Sequence, residues 1–134
     1  MKIIKYGLVP IIEPEVDINI DDKEAAEVIL KDELVQGLSA LTPKQKVIFK
    51  LTLPTQDGFY SDLLADHHLV RIIALSGGYS QARANEKLAK NPGVIASFSR
   101  ALTEGLSVSQ TDAEFNKTLG NSIQAIAAAS NKTV

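Results

Sequence analysis

Lys50 is the residue of this sequence with the most chemistry open to it. It sits inside the apolar run Val47-Ile48-Phe49-Lys50-Leu51-Thr52-Leu53, which Pro54 closes. Side chains alternate along a strand, so Lys50 shares a face with Ile48 and Thr52. A lysine deprived of water shifts toward the neutral amine, the form that attacks a carbonyl carbon. A lysine in such a run can equally lay its stem on the core and send its head to water. Glu13 ends the earlier apolar run Gly7-Leu8-Val9-Pro10-Ile11-Ile12. A carboxyl beside an amine can supply the proton that dehydrates a carbinolamine to an iminium, and a glutamate at a strand end can also simply cap a loop or pair with a cation. Glu15, two residues on and on the same face, is an equivalent candidate.

Two further features suit an anion. Ser76-Gly77-Gly78 lies between a strand pattern and a helix pattern. There the glycines let backbone N–H groups approach a ligand and the helix start adds a favourable dipole. Gly-Gly after a strand is also a common turn. Ser99-Arg100 ends the next apolar run and adds a guanidinium. Adjacent strand ends offering backbone donors and an arginine make a phosphate site. His67-His68 has no second carboxylate or histidine at metal-ligand spacing and reads as a solvated loop. The glycosylation triplets Asn116-Lys117-Thr118 and Asn131-Lys132-Thr133 would go unused in an intracellular chain, and the first falls in a helical pattern.

These residues need a scaffold that brings strand ends together. Four short apolar runs, over 7–13, 47–53, 69–75 and 94–98, alternate with helical patterns. They are apolar nearly throughout, as strands covered on both faces are. Asp21 or Asp22 is a candidate N-cap for a helix carrying Ala25, Val28, Ile29, Leu34 and Leu38, with Gly37 near its end. A short helix is expected around Tyr60 to Ala65, and another from Ser80, its cap, to Lys90. Thr111 and Glu114 have capping-box spacing, followed by Phe115, Leu119, Ile123 and Ile126 as one apolar stripe. Strand–helix alternation of this kind gives a parallel sheet of right-handed βαβ units, with ligands at the carboxyl ends of the strands. The fold class is therefore α/β, with four consecutive parallel βα units. Periodicity alone leaves open whether they form a small open sheet or half of a closed barrel.

Composition narrows the partners. The 134 residues suit a single domain over 1–134, short of the roughly 250 that a complete (β/α)₈ barrel usually takes. Net charge is −2, so no basic surface favours nucleic acid or anionic membranes, and any anion site must be local. There are no cysteines, which excludes disulfides, thiolate metal sites and thiol catalysis. No apolar run approaches a membrane span and the start is unlike a secretory signal. The expectation is a soluble, cytoplasmic domain.

Four segments, in order, resemble class I fructose-bisphosphate aldolase in its shorter bacterial form. They are Gly7-Leu8-Val9-Pro10-Ile11-Ile12-Glu13-Pro14-Glu15, Phe49-Lys50-Leu51-Thr52-Leu53-Pro54, Leu75-Ser76-Gly77-Gly78-Tyr79-Ser80 and Ser97-Phe98-Ser99-Arg100-Ala101-Leu102. The resemblance runs from about Gly7 to Lys132 and implies half of a TIM (β/α)₈ barrel, strands five to eight. It implies a Schiff base on Lys50 with fructose 1,6-bisphosphate or dihydroxyacetone phosphate, and Glu13 relaying protons. Ser76, Gly77 and Arg100 would hold the C1 phosphate, with Gly78 shaping the turn and Ser99 beside it. No metal or cofactor is implied. The family's aspartate acid/base and further lysines would lie on the first four strands, ahead of Met1, and the terminal tyrosine of animal-type members is absent. C–C cleavage by this chain alone is therefore expected to be weak. Half a barrel exposes two strand edges and an inner face, so a homodimer is expected. The competing reading is a non-catalytic scaffold that binds a phosphorylated ligand. Whether the chain is a fragment or a natural short protein stays open.

Overall fold

The computed structural model describes residues 2–130. Four strands form one parallel sheet in sequential order: β1 (Ile11–Ile12), β2 (Val47–Thr52), β3 (Leu69–Leu75) and β4 (Val94–Ala96). Helix α1 (Lys23–Ser39) joins β1 to β2, α2 (Gln81–Ala89) joins β3 to β4, and α3 (Asp112–Ser130) follows β4. Short 3₁₀ turns occupy Ile3–Tyr6 and Ser61–Ala65. The order never reverses, unlike a doubly wound sheet. It is the order that half of a (β/α)₈ barrel has.

The two faces of this sheet differ. Val47, Phe49 and Leu51 of β2, Ile72 and Ala74 of β3 and Val94 of β4 join Leu34 and Leu38 of α1, Ala84 and Leu88 of α2 and Ala129 of α3 in one core. The opposite face, by register, carries Ile11, Ile48, Lys50, Arg71, Ile73 and Ile95. None of these belongs to the core; Ile11 is 53% exposed and Arg71 is exposed. The expectation of strands covered on both faces thus holds for one face only.

Several local expectations hold, although Asp22, the residue ahead of α1, makes no side-chain capping bond. β3 keeps its expected bounds. Ser80 caps α2 by accepting a bond from the Arg83 N–H at 3.4 Å. Thr111 and Glu114 form the reciprocal capping box, with the Thr111 N–H on Glu114 Oε2 at 2.9 Å and the Glu114 N–H on Thr111 Oγ1 at 3.3 Å. Other expectations change. The first strand shrinks to Ile11–Ile12, because Ile3–Tyr6 turns and Gly7 adopts a left-handed φ of 75° to leave that turn. In α3 the buried positions are Ser122 and Ala129, whereas Phe115 and Ile123 are exposed. In α1 the upper turns bury Lys23 and Glu27 and expose Val28 and Ile29. The expected apolar stripes follow helical spacing, but the helices are turned to serve other partners.

Candidate active site

β2 places Lys50 on the open face, and β1 ends just where Glu13 must leave the sheet. Lys50 Nζ and Glu13 Oε1 stand 2.6 Å apart, with 23% of the lysine side chain and 47% of the glutamate side chain exposed. Glu13 follows directly on the β1–β2 ladder, in which Ile11 pairs with Ile48 and Ile12 with Phe49, so it leaves the sheet next to Lys50. Lys50 in turn pairs with Ile73 of β3. The surroundings are neither a packed interior nor a covering helix, and the amine meets a carboxylate in a partly hydrated recess.

A polar cavity of about 140 Å³ joins this pair to the other candidates; its walls include Glu13, Glu15, Lys50, Ser76, Gly77 and Arg100. Leu75, Ser97 and Ser99 also line it. Gly78 is outside the lining; its φ is 106°, a backbone that favours glycine, and a Cβ there would lie 3.4 Å from Ile18 Cδ1 and 3.8 Å from Arg100 Nη1. Gly77, at φ 63°, has a second reason to be glycine. A Cβ would stand 3.0 Å from Ile18 Cγ2 and 3.3 Å from Thr52 Cγ2. Glu13, Glu15, Lys50 and the 76–78 and 99–100 segments are thus gathered at the carboxyl end of the sheet, although they are far apart in sequence. Glu15 shares the cavity, but Glu13 is the carboxylate that meets the amine.

Three contributors escaped the sequence reading. Ser97 lines the cavity from β4's end, and its N–H donates to the Ala74 carbonyl at 2.7 Å, extending the β3–β4 ladder. Thr52, buried, uses its hydroxyl to accept from the Val16 N–H and to donate to the Val16 carbonyl, both at 3.0 Å. Ile18 packs over the glycine turn. Thr52 was visible as the polar residue on the Lys50 face, but its partner lies 36 residues away.

Just past the end of β2 a second set of charges fixes the chain. Lys23 pairs with Glu27 and also donates to the Leu53 carbonyl at 3.1 Å and Thr55 Oγ1 at 3.3 Å. The Thr55 N–H donates to Glu27 Oε2 at 2.9 Å, and Lys87 Nζ to the Pro54 carbonyl at 2.9 Å. Burial, and then the charge of Lys23, lower the Lys87 ammonium below the usual lysine range. Burial, and then Glu27, push the Tyr60 hydroxyl up. These bonds hold the segment 53–55, which leaves the strand that carries Lys50.

His68 is buried rather than solvated, which corrects the sequence reading of that loop. Asp66, the missed carboxylate, accepts from the His68 N–H at 2.7 Å and meets His68 Nδ1 at 3.0 Å. With His67 these residues form a cluster of possible metal ligands within 4.8 Å of one another. It precedes β3, at the opposite end of the sheet from the cavity, and its carboxylate is already engaged in the turn. The triplet 131–133 lies outside the described residues. Among the described residues no helix is long and apolar enough to cross a membrane.

No family model matches the chain. Individual relatives do. Over 129 residues, 96% of the chain, it is 62% identical to the fructose-bisphosphate aldolase class 1 of Clostridium acetobutylicum, covering 44% of that protein. It is 57% identical to the protein of the same name from Synechocystis sp. over 129 residues, again 96% of the chain and 43% of the relative. Against the Porphyromonas gingivalis protein of that name it is 54% identical over 131 residues, 98% of the chain and 44% of the relative. The chain is thus homologous along nearly its whole length to class 1 fructose-bisphosphate aldolases, and it spans less than half of theirs.

Proposed function

We propose that this chain carries the imine-forming and phosphate-binding part of a fructose-bisphosphate aldolase of Schiff-base type, acting in cytoplasmic glycolysis. The observation that carries the reading is the 2.6 Å approach of Lys50 and Glu13 inside a cavity shared with Ser76, Gly77 and Arg100. The cavity, about 140 Å³, suits a phosphate and the few carbons next to it, with the rest of a hexose bisphosphate reaching toward the open face. The backbone N–H groups of the 76–78 turn and the Arg100 guanidinium take the C1 phosphate, with the Ser99 hydroxyl at the rim.

Lys50 gives up its extra proton to Glu13 and its nitrogen lone pair attacks the C2 carbonyl carbon. The proton shed by the attacking nitrogen passes to the carbonyl oxygen, which becomes the carbinolamine hydroxyl. Glu13 then protonates that hydroxyl, water leaves, and an iminium remains. Breaking C3–C4 sends the bonding electrons into the iminium and makes an enamine, while the C4 hydroxyl loses its proton and leaves as the aldehyde of glyceraldehyde 3-phosphate. That step needs a base at the C4 oxygen, a task that Lys50 and Glu13, occupied with the imine, do not perform. The test is borohydride trapping with dihydroxyacetone phosphate and peptide mass analysis. A label on Lys50 is expected, and a label elsewhere or none removes it from this role. If the unlabelled protein and Lys50→Met both still bind phosphate, the non-catalytic reading replaces this one.

The open sheet face supports a second part of the proposal, that a second copy covers it. Four strands from each copy close an eight-stranded parallel ring. An apolar groove of about 150 Å³ beside β1, lined by Ile12, Leu34, Leu38 and Leu41 among others, gives the joining edge a surface to bury. Light scattering at micromolar concentration should report twice the chain mass, and a stable 14.4 kDa monomer overturns this part.

A further inference from the structure

We propose that Thr52 is a positioning residue for the Lys50–Glu13 pair, acting as a clasp that sets the height of the 13–18 segment above β2. The ladder between β1 and β2 ends at Ile12 and Phe49, and Pro14 has no N–H with which to resume it. Glu13 therefore sits on a segment that the sheet has released. The segment is caught again at Val16, where a single hydroxyl satisfies both backbone groups, accepting from the N–H and donating to the carbonyl at 3.0 Å each. Val16 is buried, so without that hydroxyl two polar groups would be left unpaired.

The anchor stands on the same strand as the amine, two residues on and on the same face. Its separation from Lys50 along the strand is thus set by strand geometry, about 6.6 Å at the usual rise. Between the end of the ladder and the clasp, Glu13 has little freedom to leave the amine. The methyl of Thr52 faces Gly77, where an added Cβ would meet it at 3.3 Å and Ile18 at 3.0 Å. One side chain therefore touches the segment bearing the carboxylate with its hydroxyl and the glycine turn with its methyl. The clasp itself follows from the bonds to Val16; its service to imine formation rests on the aldolase reading above.

The two atoms of that side chain can be tested apart. Thr52→Val keeps a methyl toward Gly77 and removes the hydroxyl; Thr52→Ser keeps the hydroxyl. In Thr52→Val the Val16 amide should exchange with deuterium at least on the order of tenfold faster. The maximal rate of borohydride-trapped labelling of Lys50 should fall by on the order of 10²-fold, as for a misplaced reacting group. The concentration of dihydroxyacetone phosphate giving half that rate should stay the same, because the phosphate-binding groups are untouched. Thr52→Ser should restore both amide protection and labelling rate. Unchanged protection, an unchanged rate, or equal losses in the two variants overturns the proposal. Should Thr52→Val not fold, Thr52→Ala against Thr52→Ser makes the same comparison. If the parent chain itself takes no label from dihydroxyacetone phosphate, the aldolase reading fails. The clasp is then judged by formaldehyde–borohydride methylation of Lys50 relative to Lys2 and Lys44. A ratio unchanged by Thr52→Val, or changed equally by Thr52→Ser, overturns it, and a ratio that shifts in Thr52→Val and returns in Thr52→Ser upholds it.

Discussion

Two lysine–glutamate pairs meet the chain at β2 and just beyond it, and they are built for different ends. Lys23 and Glu27 are an i, i+4 pair with side chains only 8% and 2% exposed. The ammonium also donates to the Leu53 carbonyl and to Thr55, which uses all three of its donors. Glu27 is engaged by the Thr55 N–H as well. Such an amine has no free approach for a carbonyl carbon. Lys50 lies in β2 and Glu13 just past the end of β1, both are partly exposed, and among the described residues Glu13 is the one ion-pair partner of Lys50. A buried, saturated pair staples a loop. A pair with open coordination on an uncovered face leaves the nitrogen accessible, as a nucleophile must be. Burial alone would single out Lys23, whereas the count of uncommitted donors favours Lys50 as the proposed nucleophile.

Breaking each pair should separate stability from chemistry. Glu27→Ala leaves the Lys23 ammonium buried without its counterion and should cost about 3–5 kcal/mol in urea unfolding. Glu13→Ala, at a partly exposed pair, should cost below about 1 kcal/mol yet slow imine trapping by roughly 10²-fold. Equal unfolding costs for the two would erase the distinction. The sheet faces extend the same contrast. Leu51→Ala, on the covered face, should destabilise by about 2–5 kcal/mol. Ile73→Ala, on the open face, should leave the isolated chain's unfolding midpoint nearly unchanged at concentrations where it is monomeric, and weaken self-association.

A smaller effect is expected from Arg71, the exposed cation on that open face. Two-fold closure would bring two copies of Arg71 into one layer, a like-charge contact. Arg71→Leu should therefore tighten association by on the order of tenfold in sedimentation equilibrium; weaker association would count against a second copy as the covering partner. The smallest effect lies far from both pairs. Bonds from the Thr111 backbone N–H and then its hydroxyl hold the Glu114 carboxyl below the usual range. Its folded-state value is depressed, so its support of α3 is complete above the ordinary glutamate range and is lost as pH falls through the lowered value. Glu114→Gln should remove that part of the acid-side slope in thermal melts followed by circular dichroism, with little change at neutral pH.

Much of this molecule was legible before its coordinates. Strand β3, the Ser80 cap and the Thr111–Glu114 box depend on residues within a few positions of one another, and the alternation of strands and helices directs a parallel sheet. The candidates at strand ends were legible because a parallel sheet gathers those ends, wherever they lie in the sequence. The rotation of α3 was not, since Phe115 and Ile123 have the same spacing whether or not a partner covers them. Lys23 and Glu27 interrupted no apolar pattern strongly enough to be noticed, although their i, i+4 spacing beside Leu34 and Leu38 was a usable signal.

From the order of its residues alone this chain is committed to four βα units with an amine, carboxylates, a glycine turn and an arginine at their ends. Short-range rules suffice for that, because hydrogen bonding and side-chain periodicity act within a turn or along a strand. Only the tertiary structure decides which lysine keeps a free approach, which glutamate reaches it, and that Thr52 holds Val16. Those outcomes join residues 30 to 37 positions apart, through burial and donor saturation that no local pattern encodes.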